Sequence, residues 1–580
     1  MIIMMLTSLA LAAVQPPPPH AQDAPPRDAR PGTMPSGVAV VRGRVLAADT
    51  GKPLRRARIT LTGPELGREG RSTSTSLDGR YEIADLPAGR YTIRVTRSGY
   101  LPLLYGQRRP LEPGKPLQLL DRQAIDHVDF SLPRASVISG QITDELSEPV
   151  ADVQVFAMRS AYFSGRRRMV AVGPPARTDD AGEYRLTGLT PGSYFLMAAL
   201  RETWTVTENG VERTMGYAPT YAPGAVSLTD ARRVTVAVGQ SAGNNSFALM
   251  PGRAASVSGT AADSLGRPLA SRNIMLMQEF GGPGFGMMMM GGQATTAADG
   301  TFTIRNVSPG SYKLVAQATR DTQSSRGTVL EVATQLVTID GADVTNLSLT
   351  TSMGWSMDGT VIADTGAPPD GAPGRFGVAA RLVDPDLGAG PGGAPPPPPP
   401  PGAPGGGAIP DSGRVRDDWS FSVAAVFGAA RVRAIVPDGW TVKAILQGGR
   451  DISDTPVEMK SGETLTGVQV VVSSRVTTVS GQLLDERGAP LVDGTVIVFP
   501  DDASRWSDDS RWVRAVRPDQ QGRYQIRGLP PGEYLAVAVD YVEEGSWNDP
   551  EYLESIRRHG QRLTLREADS QSLSLKPVTP

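Results

Sequence analysis

The sequence predicts an all-β chain built as a tandem array of about five β-sandwich domains, and three observations predict it. A strand–turn–strand phrase recurs: LDGRYEIADLPAGRYTIRV at 77–95, AGEYRLTGLTPGSYFLM at 181–197, DGTFTIRNVSPGSYKLV at 299–315 and QGRYQIRGLPPGEYLAV at 521–537, with a fainter copy at 418–435. A second phrase, exemplified by VRGRVLAADTGKPLRRARITL at 41–61, precedes each copy and carries its Gly at 43, 140, 259, 359 and 481. The intervals of 97, 119, 100 and 122 residues are the size of a sandwich domain and too long for a solenoid repeat. Gly 65 and Pro 50 in 580 residues give the turn-rich composition of short-stranded β proteins.

Taken in order, the apolar run at 2–14, with Ala10 and Ala12 flanking Leu11, reads as a signal peptide. It is too short to span a bilayer, although no Lys or Arg precedes it. Residues 15–37 are Pro-rich and polar, a disordered tether. Sandwiches follow at 38–133, 134–250, 251–351, 352–473 and 474–580, each closing on a strand, at 128–132, 245–249, 345–349, 467–472 and 571–575. Links of a few residues favour a semi-rigid rod. Two insertions, GGPGFGMMMMGG at 281–292 and a stretch at 388–407 with a run of prolines, are expected to be mobile loops. Segments 221–249 and 550–575 predict a short helix before a last strand, with Asp230 capping one helix and Ser555 and Ile556 inside the other.

Within the first phrase, Asp78-Gly79 and Asp299-Gly300 are tight-turn pairs, because Gly takes positive φ without a Cβ clash. Tyr81 and Ile83 alternate with Arg80 and Glu82, the pattern of a half-buried strand. After a Pro–Gly turn, Tyr91, Tyr194, Tyr312 or Tyr534 opens the second strand, placed to bury its ring and send its hydroxyl to a nearby backbone group.

The paired phrases, V-x-G-x-V-x-D-x-x-G-x-P-L followed by D-G-x-Y-x-I-x-x-L-x-P-G-x-Y, resemble the carboxypeptidase regulatory-like domain family. Domains one, two, three and five carry both phrases, and domain four matches loosely. The resemblance implies seven-stranded transthyretin-like (Ig-like) sandwiches, related to Cna-B and starch-binding-like domains, and members that serve as scaffold, adhesion or sugar-binding modules. Fold alone does not select among these.

Chemistry is sparse. The net charge of −2 gives no electrostatic footprint for nucleic acid, and the absence of cysteine excludes disulfides, thiolate metal sites and Cys nucleophiles. The histidines, His20, His127 and His559, are scattered and form no H-E-x-x-H pair. Gly239-Gln240-Ser241-Ala242-Gly243 matches a nucleophile-elbow string, but a strand follows it and its domain holds no histidine, so it reads as a turn. Turn aspartates Asp78, Asp179, Asp180, Asp299 and Asp519 read as turn starters ahead of calcium ligands. Met287–Met290 reads as a hydrophobic loop tip ahead of a copper site, and Arg166-Arg167-Arg168 as a solvated loop. No catalytic residue, metal or cofactor is assigned.

The ligand signal is aromatic. Trp506, Trp512, Trp547, Tyr541 and Tyr552 fall outside the repeated core positions of domain five, and Trp506 and Trp512 sit among Asp, Ser and Arg, the mixture that stacks a sugar face and bonds its hydroxyls. Six residues apart, they share a face if the segment is a strand. The expectation is a non-catalytic exported protein, periplasmic or at the cell surface. It binds or scaffolds as a monomer, with a polysaccharide or glycan as ligand or an envelope protein as partner. It has no nucleic-acid partner and no transmembrane segment in its mature chain. The competing readings are a structural spacer or adhesive stalk and a periplasmic accessory to an outer-membrane transporter.

Overall fold

The computed structural model describes residues 37–66, 70–163, 166–280, 287–321, 328–383, 413–507 and 509–579. The expected signal peptide at 1–14, all but the last residue of the tether at 15–37 and the Pro/Gly-rich insertion at 388–407 lie outside them.

The same ladder recurs five times. The first strands Ala39–Ala47, Ser136–Thr143, Ala255–Ala262, Trp355–Ala363 and Thr478–Gln482 each pair antiparallel with a strand of the D-G-x-Y phrase. On the other side each pairs parallel with the closing strand of its unit. A second sheet lies over this one, centred on the antiparallel pairs Arg58–Thr62 with Gly89–Thr96, Gln154–Phe163 with Gly192–Ala199, Asn273–Phe280 with Gly310–Asp321, Gly377–Leu382 with Ala430–Ile435, and Thr495–Pro500 with Gly532–Val539. The alternating side chains of both sheets meet between them, so each unit carries its own apolar cluster, as in a β-sandwich. The chain is all-β, with one described α-helix, Pro550–Arg557.

The repeated Gly and the repeated aromatic residue explain each other. Gly43, Gly140, Gly259, Gly359 and Gly481 sit directly opposite Tyr81, Tyr184, Phe302, Phe421 and Tyr524 in the ladder. A Cβ on these glycines would lie 2.0, 2.4, 2.1, 2.1 and 1.8 Å from a carbonyl oxygen of the closing strand or its approach. No side chain fits there, so glycine is required by close backbone approach rather than by a turn. The crowding carbonyl is also an acceptor. Tyr81 donates to Val128 O at 2.7 Å, Tyr184 to Asn245 O at 2.6 Å and Tyr524 to Leu573 O at 2.5 Å. Units three and four carry Phe at this position and lack the bond.

The second tyrosine behaves as its position predicts. Tyr91, Tyr194, Tyr312 and Tyr534 are buried and donate to the carbonyl four residues back, on Pro87, Thr190, Ser308 and Pro530, at 2.6–2.9 Å. In unit four the fully packed Trp355 replaces this tie, donating Nε1 to Gly428 O at 2.9 Å.

Several expectations change. Residues 287–292 of the Met/Gly insertion belong to the strand Met287–Thr295, which pairs with Asn273–Phe280. Gly291 lies where a Cβ would sit 2.4 Å from the Tyr312 ring, so this glycine admits a neighbouring ring; residues 281–286 of the insertion lie outside the described residues. In unit two the short helix is a 3-10 turn, Leu228–Asp230, capped by Ser227 with Asp230 at its end. The unit-five helix forms as expected, containing Ser555 and Ile556. The extended rod is also corrected: unit five folds back onto units one and two, with Glu544 N donating to Leu111 O at 2.9 Å and Arg167 meeting Asp549 at 2.8 Å. Backbone hydrogen bonds and charged side chains of units far apart in the chain supply these contacts.

Candidate functional site

The five aromatic residues predicted to form a ligand platform lie within 506–552, but they do not form one face. Asp502 accepts from Ser504 N at 3.0 Å and caps a 3-10 turn, Ala503–Arg505, so the segment is not a strand and the six-residue spacing does not align the two indoles. Trp506 packs edge-on to Phe499 at 5.7 Å in a cluster with Val537 and Leu553, and donates Nε1 to Pro500 O at 2.8 Å. Trp512 belongs to the cluster on the other side of the sheet, stacked on Tyr534 at 6.1 Å.

Trp512 is also a junction residue. Its Nε1 donates to Asp454 Oδ2 of unit four at 3.0 Å, and the Arg505 guanidinium lies 3.9 Å from its ring centroid. Tyr541 faces unit one, with its hydroxyl 3.4 Å from Pro110 O and Arg109 5.4 Å from its ring. Trp547 sits in the turn Ser546–Asn548 ahead of the helix, and Tyr552 lies on the helix beside the same cluster. Trp547 Nε1 and Tyr552 Oη are both buried without a hydrogen-bond partner. Trp506, Trp512 and Trp547 are only 7, 9 and 3% exposed, whereas sugar stacking needs an open ring face.

The helix that orients this region is locally encoded. Asp549 Oδ1 accepts from Glu551 N at 3.0 Å, Pro550 occupies the first turn, and Leu553 and Ile556, three residues apart, bury one stripe.

Sequence reasoning missed that the charged residues around these rings join units. Between units four and five, Arg433 pairs with Asp509 at 2.9 Å, Arg511 with Asp454 at 3.0 Å and Lys443 with Glu567 at 2.7 Å. Arg166-Arg167-Arg168, expected to be a solvated loop, opens the strand Arg166–Ala171. Arg167 reaches Asp549 at 2.8 Å and Glu551 at 3.0 Å, while Arg159 on the partner strand pairs with Glu543 at 3.3 Å. The available signal was the acidic content of 540–551 set against this basic hairpin.

Three of the turn aspartates accept from nearby backbone, and Asp78 accepts from the Ser76 hydroxyl at 2.6 Å. Asp179 accepts from Ala181 N and Glu183 N, Asp299 from Thr301 N, and Asp519 from Gln521 N and Arg523 N, at 2.8–3.1 Å. Ser241 lies in a two-residue strand, Ser241–Ala242, paired with Val137 and Ile138. Among the described residues no group of three His, Cys, Asp or Glu side chains could hold a metal ion, and no helix is long and apolar enough to cross a membrane. Clefts occur at junctions: about 120 Å³ between units two and three, lined by Tyr217 and Tyr312, and about 300 Å³ between units three and four, lined by Trp355 and Phe427.

No curated protein matches the chain. Among solved structures it is similar to a streptococcal ancillary pilin (13% identity, 54% of this chain and 98% of that one, TM-score 0.18). It is also similar to the major pilin subunit of Bacillus cereus (11% identity, 54% and 99%, TM-score 0.13) and to the Bacillus anthracis TIE protein (10%, 74% and 68%, TM-score 0.14). The family comparison is more specific: residues 40–121 and 256–350 match the carboxypeptidase regulatory-like domain. Both matches begin on the strand bearing the crowded glycine, and both include the D-G-x-Y/F strand opposite it. The match to the carboxypeptidase regulatory-like domain thus falls within the first and third units, over less than a third of the chain.

Proposed function

We propose that the chain is an exported, non-catalytic scaffold of the cell envelope, divided into five sandwiches at about residues 133, 250, 351 and 473. The observation that carries this reading is where its chemically distinctive residues go. The indoles and phenols that could hold a ligand are buried in cores or set against neighbouring units, and Arg–carboxylate pairs occupy the same junctions. A protein that puts such residues into junctions fixes the relative placement of its units, which is what a scaffold requires. Carbohydrate is the alternative ligand class, supported by the family resemblance. The burial of Trp506, Trp512 and Trp547 weighs against their serving as its platform.

A glycan and polysaccharide binding screen on the full chain separates the two readings. The scaffold reading expects no saturable binding. Micromolar binding to a defined saccharide replaces it with the carbohydrate reading, and loss of that binding in Tyr541→Ala, the predicted ring that faces a unit boundary with its hydroxyl, locates the site.

A further inference from the structure

Units one and five lie at opposite ends of the sequence, yet unit five bonds to the segment 106–115 of unit one at several points. The Arg517 guanidinium donates to Gly106 O at 2.8 Å and Pro113 O at 3.0 Å and lies 3.4 Å from Glu112 Oε2. Glu112 in turn accepts from Arg108 N at 3.0 Å and Arg109 N at 3.2 Å, which shapes the loop. Lys115 Nζ donates to Val492 O and lies 3.7 Å from Asp493, which also receives Arg108 at 2.8 Å and Arg517 at 3.5 Å. Leu111 O and Pro110 O accept from Glu544 N and Tyr541 Oη.

The side chains of Arg517, Glu112 and Lys115 are 3, 7 and 9% exposed. Charged groups are buried to this degree only where they are paired, and three from two distant units are buried together here. Among the described residues the hydrogen bonds of Arg517 go to unit one, and unit five itself supplies only the longer ion pair to Asp493.

We infer that segment 106–115 and the unit-five surface around Asp493, Arg517 and Tyr541 form an intramolecular latch that closes the five units into a ring in solution. The latch is made of charge-assisted hydrogen bonds to backbone carbonyls, which demand alignment and so fix one register. The ion pairs from Arg159 and Arg167 to unit five set a second contact beside it. Closure does not depend on whether any glycan binds.

Small-angle scattering on the full chain tests this directly. Five units of about 13 Å radius of gyration give roughly 32 Å when closed in a ring and roughly 50 Å when laid in line. The wild-type chain is expected near the lower value, and an extended wild-type profile overturns the inference. Arg517→Gln and Lys115→Glu, on opposite sides of the latch, are each expected to raise the radius about 1.5-fold. Each is also expected to speed exchange of the Glu544 amide at least tenfold while amides of the strands Arg58–Thr62 and Gly532–Val539 stay protected. If a variant loses that strand protection it has unfolded, and the wild-type scattering decides alone. Unchanged Glu544 exchange in both folded variants also overturns the inference.

Discussion

Replacing Gly43 by alanine tests the close approach that organises every unit. The added Cβ would sit 2.0 Å from Val128 O and 3.0 Å from the Tyr81 ring. An ordinary contact to oxygen needs more than 3 Å, so the closing strand must retreat by over an ångström. Neither backbone nor a ring sandwiched in a core can yield cheaply. Overpacking of this kind costs about 1–3 kcal/mol. The retreat also pulls Val128 O from the buried Tyr81 hydroxyl at 2.7 Å, and a stranded buried donor adds about 1–3 kcal/mol. The sum is about 2–6 kcal/mol, confined to unit one. A multi-unit chain does not unfold in one step, so site-resolved hydrogen exchange is the right assay. Amides of Ala39–Ala47 and Phe130–Leu132 should exchange at least about 30-fold faster, at 1.4 kcal/mol per decade, with units two to five unchanged. Gly243→Ala is the control, because nothing lies within 4 Å of its Cβ. Exchange within threefold of wild type in Gly43→Ala refutes the steric reading.

Three further outcomes follow from individual atoms. Tyr184→Phe should cost unit two about 1–2 kcal/mol by leaving Asn245 O short of a donor, whereas Phe302→Tyr in unit three should be neutral or stabilising, because Leu347 O occupies the equivalent place; chemical denaturation followed by hydrogen exchange reads both. Tyr552→Phe should stabilise unit five by about 1 kcal/mol, since its buried hydroxyl has no partner, and a loss of stability in thermal unfolding would show that the hydroxyl is satisfied by something else. Lys115 should make closure pH-dependent. Burial, reinforced by Arg517 and Arg108 and opposed by Asp493, holds its ammonium down at about 8, below the ordinary 10.5. Its charge therefore opposes closure fully below pH 8, and that cost fades as pH rises towards 10.5, so the urea concentration at which scattering reports opening should rise across this window and stay flat in Lys115→Gln.

Much of the fold was legible because its determinants are local and repeated. The alternation in Arg80–Leu86, the Asp-Gly turns and the Tyr after each Pro–Gly turn recur, and each copy confirms the others. The strict glycine of the first strand was visible, but its reason was not: the carbonyl that excludes a Cβ comes from 85 to 109 residues away, at Val128 for Gly43 and Val468 for Gly359. Glycines flanking the Met run read as loose in the sequence, whereas Gly291 makes room for Tyr312. The six-residue spacing of Trp506 and Trp512 puts them on one face only in a strand, and the Asp502 cap starts a turn instead.

The junctions were the least legible part, for a physical reason. A surface arginine in a sequence looks the same whether it meets water or a carboxylate four hundred residues away, since neither periodicity nor propensity records the partner. Arg517 lies in a stretch, RWVRAVRPD, whose basic residues go three ways: Arg511 to unit four, Arg514 to carbonyls of its own segment and Arg517 to unit one. What separates them is burial, and burial here belongs to the assembled chain. The aromatic enrichment of unit five has the same origin. This unit touches units one, two and four, and rings with a polar handle cover apolar flanks while bonding across a boundary, as Trp512 does to Asp454 and Tyr541 does to Pro110. A composition that looks like a ligand platform is thus what a hub unit requires when its ligands are its own neighbours.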